Sequence, residues 1–437
     1  MRKEDILAVL NDWNFWKKEL STGTERADYL EKARSCLKTN MILTIVGARR
    51  TGKSYIMRQL ARNLTEAHGA NNTLFVNLED GRFVERDVGL LDAIFETYLE
   101  YLKPDKKPHV FLDEVHRVSG WERWARTASE LRKARVVVSG STAKLISSDL
   151  ATLLTGRHLD LTVFPLSFRE FLRFRGVEVA GTLDLVSRKT EVRSLLREYL
   201  EFGGFPEVVL SDAGIKAEIL RTYFDDIVDR DVVIRHHIKK VDKLLSLAKF
   251  YLTNAASPVT FTSLEKFLKI NAGTLERFTS HLEDAFLIFF IRRLSFSVKE
   301  QDRSPRKVYC IDTGLCNAAG FRAGENLGKV MENTVAVELR RRMAENPSME
   351  VYYWKSADGR EVDFVLREGL KITNALQVCW DVGQPEARRR ELGALVKCLR
   401  EVELEEGTVI TNDYEGEERF RGKTILYRPL WKWLLGG

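Results

Sequence analysis

The sequence predicts an α/β protein: a parallel sheet with helices on both faces, then helical segments, then a second, smaller α/β domain. Three observations carry that expectation. Short β-branched runs alternate with helix-length amphipathic stretches from residue 41 to 164, as strands joined by helical crossovers do. A glycine-rich loop separates the first of those runs from the helix behind it. A second alternation of strand and helix begins at Val308, beyond the polar stretch Lys299 to Lys307, which reads as a linker.

Composition sets the frame. A chain of 437 residues with 44% hydrophobic and 30% charged residues is too long for one core. No apolar run reaches the roughly 18–20 residues of a spanning helix, so neither a membrane protein nor a membrane partner is expected. The opening Met-Arg-Lys-Glu-Asp carries acids and does not read as a signal peptide, which suits a cytoplasmic location. Cys36, Cys310, Cys316, Cys379 and Cys398 lack metal-ligand spacing and read as reduced thiols. His236-His237 reads as a solvated pair. The net charge of +6 is compatible with nucleic acid without establishing it. Glutamine is confined to Gln59, Gln301, Gln377 and Gln384 while Lys, Arg and Glu abound, a bias that fits a heat-loving source.

Residues 5–38 read as two helices, with Ile6, Val9 and Leu10 on one buried stripe and Tyr29, Ala33 and Leu37 on another. Arg26 and Tyr29 either pack these helices or lie near a bound base. The apolar run Met41 to Val46 then enters Gly47-Ala48-Arg49-Arg50-Thr51-Gly52-Lys53-Ser54, with a helix from Tyr55 to Leu64 behind it. This is the phosphate-binding loop in its confirming context. Its glycines let backbone N–H groups cradle phosphate oxygens, and the helix start adds partial positive charge. Lys53 is expected to reach the β- and γ-phosphates, and the Ser54 hydroxyl to ligate Mg²⁺. ATP and Mg²⁺ are the cofactors this pattern implies.

A strand from Thr73 to Leu78 and a helix from Val88 to Leu102 precede Val110-Phe111-Leu112-Asp113-Glu114. Asp113 is expected to hold Mg²⁺ through water and Glu114 to polarise the attacking water. A strand from Arg135 to Val138 ends in Ser139-Gly140-Ser141, and in ATPases with such an acidic pair it lies between the phosphate-loop strand and the Mg²⁺ strand. Ser139, or failing it Ser141, either contacts the γ-phosphate or belongs to an ordinary turn. A fifth strand runs from Leu159 to Phe164. Ahead of it, Leu154-Thr155-Gly156-Arg157 presents an arginine that either reaches a neighbouring subunit's γ-phosphate or pairs with a local acid. The ATPase core with its N-terminal helices is assigned to 1–164.

Residues 165–240 read as a helical lid interrupted at Gly203-Gly204-Phe205-Pro206. Pro206 either lies against an adenine ring or marks a helix–helix turn. Residues 241–298 read as a winged-helix domain: a helix, a capping box at Thr262-Ser263-Leu264-Glu265, a turn, a second helix carrying Leu275, Phe278 and Leu282, and a hairpin from Ile288. If this unit reads DNA, Thr274, Arg277, Ser280 and His281 form its outer face. Against this, Glu276, Glu283 and Asp284 are acidic neighbours that phosphate would repel, and in this position winged helices often serve as lids or protein docks. Residues 307–437 form the last domain.

By its motifs the chain resembles the predicted archaeal and bacterial ATPases that join an AAA-type P-loop module to a C-terminal domain of unknown function. The resemblance covers nearly the whole chain. It rests on Gly47 to Ser54, Phe111 to Glu114, Ser139-Gly140-Ser141, Gly156-Arg157, Phe164 to Phe171, Gly203 to Pro206, Tyr309-Cys310-Ile311-Asp312-Thr313-Gly314 and Glu361-Val362-Asp363-Phe364. Signalling ATPases with a similar Gly-x-Pro lid imply an adenine contact for Pro206. The resemblance also implies a PD-(D/E)XK nuclease-like fold for the last domain, whose relatives bind Mg²⁺ through a helix glutamate, a strand aspartate and a Glu-x-Lys. The matching positions are Glu332 (Glu338 as second choice), Asp363 and Gln377-Val378-Cys379. Gln377 lacks the charge a hard cation needs and Cys379 cannot replace a lysine, so the expected domain is catalytically degenerate. Three functions follow. One is an ATP-driven motor or switch acting on DNA. Another is a signalling ATPase with protein partners. The third, an ATP-gated nuclease, is disfavoured by Gln377 and Cys379. A homo-oligomer is compatible with each.

Overall fold

The computed structural model describes residues 1–143, 154, 156–179, 181–295, 297–321, 326–383 and 385–436. Thr155, in the stretch ahead of the fifth strand, lies outside them. The chain divides into two units, Met1–Val163 with Asp284–Phe286, and Phe164–Glu283 with Leu287–Gly437.

In the first unit β1 (Ile42–Val46), β2 (Thr73–Asn77), β3 (His109–Asp113), β4 (Arg135–Gly140) and β5 (His158–Thr162) form a parallel sheet. Its order is β2-β3-β4-β1-β5, so β4 does lie between the phosphate-loop strand and the acidic strand. All five residues of β1 are buried, because alternate side chains enter different cores. Ile42 and Val46 meet Leu74, Val110 and Val138, with Ile6, Leu10, Leu91 and Trp121 from the covering helices. Leu43 and Ile45 meet Phe75, Phe111 and Val137, with Leu30, Met57 and Leu60 above them. The helices Lys53–His68 and Ala27–Leu37 therefore cover one face. Lys3–Trp13, Val88–Leu102 and Trp121–Glu130 cover the other. This is the doubly wound arrangement of a P-loop nucleotide-binding fold.

In the second unit residues 165–240 hold the helices Phe168–Phe174, Lys189–Phe202 and Ala213–Asp226, the last running on through a wide helical stretch, Ile227–Ile234. The break at Gly203-Gly204 is explained by packing. A Cβ on Gly203 would sit 2.0 Å from Asp312 Oδ1, and one on Gly314 would sit 2.2 Å from the Phe202 carbonyl oxygen. The Gly204 N–H donates to Asp312 Oδ2 at 2.7 Å, and the Leu315 N–H donates to Oδ1 at 3.3 Å. Two motifs distant in sequence are thus one interlock around a buried carboxylate. Burial pushes the Asp312 carboxyl up to about 6, against the pull of those N–H donors. A folded pKa above the ordinary 3.8 means the folded state prefers the protonated acid. The stability it contributes falls as pH rises from about 4 to about 6 and is level above that. Asp312→Asn should remove this slope. It should also cost about 1–3 kcal/mol near neutral pH, because an amide accepts through one oxygen only and leaves an N–H donor facing its NH₂ group. Urea unfolding at several pH values measures both effects.

The remainder of this unit departs from expectation. β6 (Ser257–Val259), β7 (Ile288–Arg293), β8 (Arg306–Cys310), β9 (Met349–Lys355), β10 (Glu361–Glu368), β11 (Lys371–Cys379), β12 (Glu406–Thr411), β13 (Gly416–Phe420) and β14 (Lys423–Pro429) form one sheet. Its order is β13-β14-β12-β11-β10-β9-β7-β8-β6. The strands that follow the helix pair Phe261–Leu268 and Ala272–Asp284 therefore join the C-terminal strands directly. The junction is the parallel register of Arg292 and Arg293 with Tyr352 and Tyr353, continued by the Leu294 N–H donating to the Tyr353 carbonyl at 2.7 Å.

The expected linker from Lys299 to Lys307 is a short helix, Val298–Arg303, and the start of β8, so the separate domain beginning at 307 is corrected. Its charges suggested solvent, but Lys307 is 2% exposed and neutralised by acids far along the chain. The cap of the first paired helix is Thr260 rather than Thr262; its Oγ1 accepts from the Ser263 N–H at 3.4 Å. His236 is not half of a solvated pair, because its ring stacks on His281 at 3.7 Å.

Candidate nucleotide site and a second acidic cluster

The end of β1 and the helix Lys53–His68 bracket the loop Gly47 to Ser54. Gly47 has φ +151°, and a Cβ there would lie 2.1 Å from the Val163 carbonyl oxygen. Gly47→Ala should therefore lower stability by about 1–3 kcal/mol, read as a shifted urea midpoint. Arg50 and Gly52 are also left-handed, with φ +70° and +93°. Gly52 caps the helix without a side-chain hydrogen bond, so the first-turn N–H groups stay available to an anion. Lys53 is 4% exposed, and its ammonium donates to the carbonyl oxygens of Gly47 and Ala48 at 3.0 and 2.9 Å. Buried Arg26 donates to the Thr51 carbonyl at 2.8 Å and stacks over Tyr29 at 4.4 Å, so it braces the loop.

Asp113 and Glu114 stand at the end of β3. Glu114 adopts φ +56°, and its N–H donates to Ser139 Oγ at 3.0 Å. The same hydroxyl donates to Asp113 Oδ1, so Ser139 ties the acidic pair together from the end of β4. Neighbouring Ser141 is fully buried. Burial raises the Glu114 carboxyl above its ordinary range, while Lys53 pulls it down and Asp113 pushes it up again. Glu114 Oε2 is buried without a hydrogen-bond partner among the described residues, with His116 Nδ1 3.3 Å away. A buried carboxylate oxygen of this kind is suited to receive a water's hydrogen. The Ser54 hydroxyl and the Asp113 carboxylate are hard oxygen donors, the set Mg²⁺ prefers, so these residues fit that ion.

Other expected residues are placed differently. Arg157 precedes β5 on the N-terminal edge of the sheet, opposite its own chain's phosphate loop, and pairs with Glu130 at 2.7 Å. Pro206 opens the short helix Pro206–Leu210 in the second unit. On the helix Ala272–Asp284, Arg277 and Ser280 are exposed. Thr274 is half-buried, with its N–H donating to Asn271 Oδ1 at 2.8 Å, and the ring of His281 is covered by His236. The expected four-residue outer face is thus reduced to Arg277 and Ser280.

Glu332, Asp363 and Gln377 do come together, on the helix Leu327–Glu345, β10 and β11. Gln377 Oε1 accepts from the Asp363 N–H at 3.3 Å and its Nε2 donates to Glu391 at 2.7 Å. Cys379 turns aside; its thiol donates to the Asp381 carbonyl at 3.3 Å and is pushed up to about 11 by burial. Glu338, the second choice for the helix acid, pairs instead with Arg341 and Arg342.

The residue that sequence reasoning missed is Lys307. Its ammonium lies 2.9 Å from Glu332 Oε1, 2.7 Å from Glu361 Oε1 and 3.0 Å from Asp363 Oδ1. Burial would lower this lysine, but Tyr309 and the three carboxylates outweigh it and raise it well above the usual value. Burial and Asp363 push the Glu332 carboxyl up to about 7. The Tyr309 hydroxyl also donates to Glu332 Oε1, at 2.8 Å. The available signal was alternation: Lys307 and Tyr309 share one face of β8.

Comparison with known proteins adds the following. The profile of the AAA domain family matches residues 39–172, and two domains of unknown function, DUF8612 and DUF4143, match residues 193–326 and 327–431. An uncharacterized protein of Methanocaldococcus jannaschii is 31% identical over 91% of this chain and 88% of its own length. An uncharacterized protein of Haemophilus influenzae is 28% identical over 93% of this chain and 98% of its own. Among solved structures, the Walker-type ATPase of Pyrococcus abyssi aligns with 68% of this chain and 95% of its own, at 13% identity and a TM-score of 0.45.

Proposed function

This chain belongs to the family of the uncharacterized Methanocaldococcus protein and carries an AAA domain, and from that premise we propose that it hydrolyses ATP with Mg²⁺ and uses the cycle as a switch. The observation that carries the reading is a buried lysine in the phosphate loop, Lys53, whose charge acts on Glu114 at the end of β3, where Glu114 Oε2 is buried without a hydrogen-bond partner among the described residues. Loop N–H groups and Lys53 bind and orient the phosphates. Ser139 positions Asp113 and Glu114, and Glu114 accepts the proton of the attacking water. Ser54 and Asp113 would hold Mg²⁺, which would supply neutralisation of charge on the phosphate oxygens.

Arg157 is assigned a role toward a neighbouring copy's nucleotide, since it faces away from its own. Pro206 is assigned to an adenine contact on the family resemblance alone. The C-terminal part is read as a nuclease-like fold without cleavage, supported by the meeting of Glu332 and Asp363 with Gln377 in place of an acid. A switch working on DNA is favoured by exposed Arg277 and Ser280 on the second helix of a winged-helix-like unit. The alternative is a signalling switch with protein partners. ATP turnover measured with and without single-stranded, duplex and branched DNA tests the proposal. Turnover stimulated by DNA in a salt-sensitive way supports the first reading, and turnover indifferent to DNA supports the second. No turnover under any condition removes both.

A further inference from the structure

The acidic cluster of β10 and the helix Leu327–Glu345 is arranged around a cation that the chain itself supplies. An ammonium has three donors. Those of Lys307 are matched by three different carboxylates, Glu332, Glu361 and Asp363, at 2.7 to 3.0 Å. The protein makes further contacts to the same three carboxylates: Asp363 Oδ2 takes the Val378 N–H at 3.0 Å, Glu361 Oε2 lies 3.5 Å from the Lys355 ammonium, and Glu332 Oε1 takes the Tyr309 hydroxyl as well as the lysine. The helix is clamped to the same strand, because Asn333 exchanges two hydrogen bonds with the backbone of Cys310 at 2.9 and 3.0 Å. A divalent ion bound by the three oxygens that converge here, Glu332 Oε1, Glu361 Oε1 and Asp363 Oδ1, would have to stand where the ammonium stands. The residues therefore do not fit a resident Mg²⁺.

We infer that Lys307 is the permanent cation of this site, replacing the divalent metal of nuclease-like relatives and locking β8 to β10 and the helix Leu327–Glu345. The inference rests on the nuclease-like reading only for what is replaced; the lock itself rests on the distances. Two properties follow. The wild-type cluster takes up no divalent metal. Without the lysine, three carboxylates converge with no counter-charge, so the cluster becomes a site for a hard divalent ion.

The test compares the full-length wild type, Lys307→Met and Lys307→Met/Asp363→Asn, without nucleotide, by thermal melting and Mn²⁺ titration calorimetry. Lys307→Met is expected to melt below the wild type and to regain several degrees in millimolar Mn²⁺, with at least tenfold tighter Mn²⁺ binding than the wild type. Adding Asp363→Asn should remove that gain. A folded Lys307→Met chain that gains no Mn²⁺ site overturns the inference. Should Lys307→Met fail to fold, the wild type and Asp363→Asn decide it: equal Mn²⁺ binding supports the inference, and Mn²⁺ binding lost with Asp363 overturns it. DNA cleavage is scored separately. Cleavage lost in Asp363→Asn removes the non-cleaving reading of the domain, whereas the lysine lock stands or falls on the metal measurements.

Discussion

Glu114→Gln is expected to bind adenine nucleotide as the wild type does and to lose ATP turnover by about two to four orders of magnitude. Glutamine keeps the size and shape of the side chain. It also leaves the backbone bond to Ser139 in place, since that bond uses the Glu114 N–H. What it removes is the ability to accept a proton at a buried oxygen. The glutamate must be ionised to act, and burial raises its carboxyl above the ordinary range. Wild-type turnover should therefore fall as pH drops through that raised value, at a higher pH than an exposed glutamate would give, and the variant should lack this limb. Phosphate release followed across pH, with nucleotide binding measured in parallel, checks both points. Undiminished hydrolysis by the variant would assign the proton transfer to another group.

Lys53→Ala is expected to weaken nucleotide binding by about 100-fold or more, the scale of about 3 kcal/mol for a lost charge-assisted contact. The ammonium is held by the carbonyls of Gly47 and Ala48 within the loop, so its charge is pre-placed and little side-chain entropy remains to be lost on binding. Calorimetric titration with ATP and Mg²⁺, alongside a melt to confirm folding, measures the effect. Unchanged affinity in a folded variant would place the nucleotide elsewhere.

The first unit was largely legible because its signals are local. Each strand is a short buried run, each helix has its own apolar stripe, and the phosphate loop is contiguous in sequence. The acidic pair was legible for the same reason, and Ser139 was legible as a position, though its bonds to Asp113 and Glu114 were not. The second unit depends on pairings between distant segments. A lysine in a charged stretch reads as solvated until Glu332, Glu361 and Asp363 are seen to converge on it. The ring of His281 reads as free until His236 stacks on it. Gly203-Gly204 reads as an interruption of the helices until Asp312 is found filling the space a side chain on Gly203 would need. In each case the deciding partner is a side chain that no local pattern names.

The continuous sheet has a consequence for how the two segments of unknown function can be inherited. Their matches meet at residues 326 and 327, yet β8 lies before that border and the carboxylates that hold Lys307 lie after it. Cutting at the border would strand a buried charge on one fragment, leave its counter-charges on the other, and bare the strand edges of β7 and β9 on both. Neither piece is expected to fold as a portable cassette, and lineages are expected to keep or discard them as a single cargo.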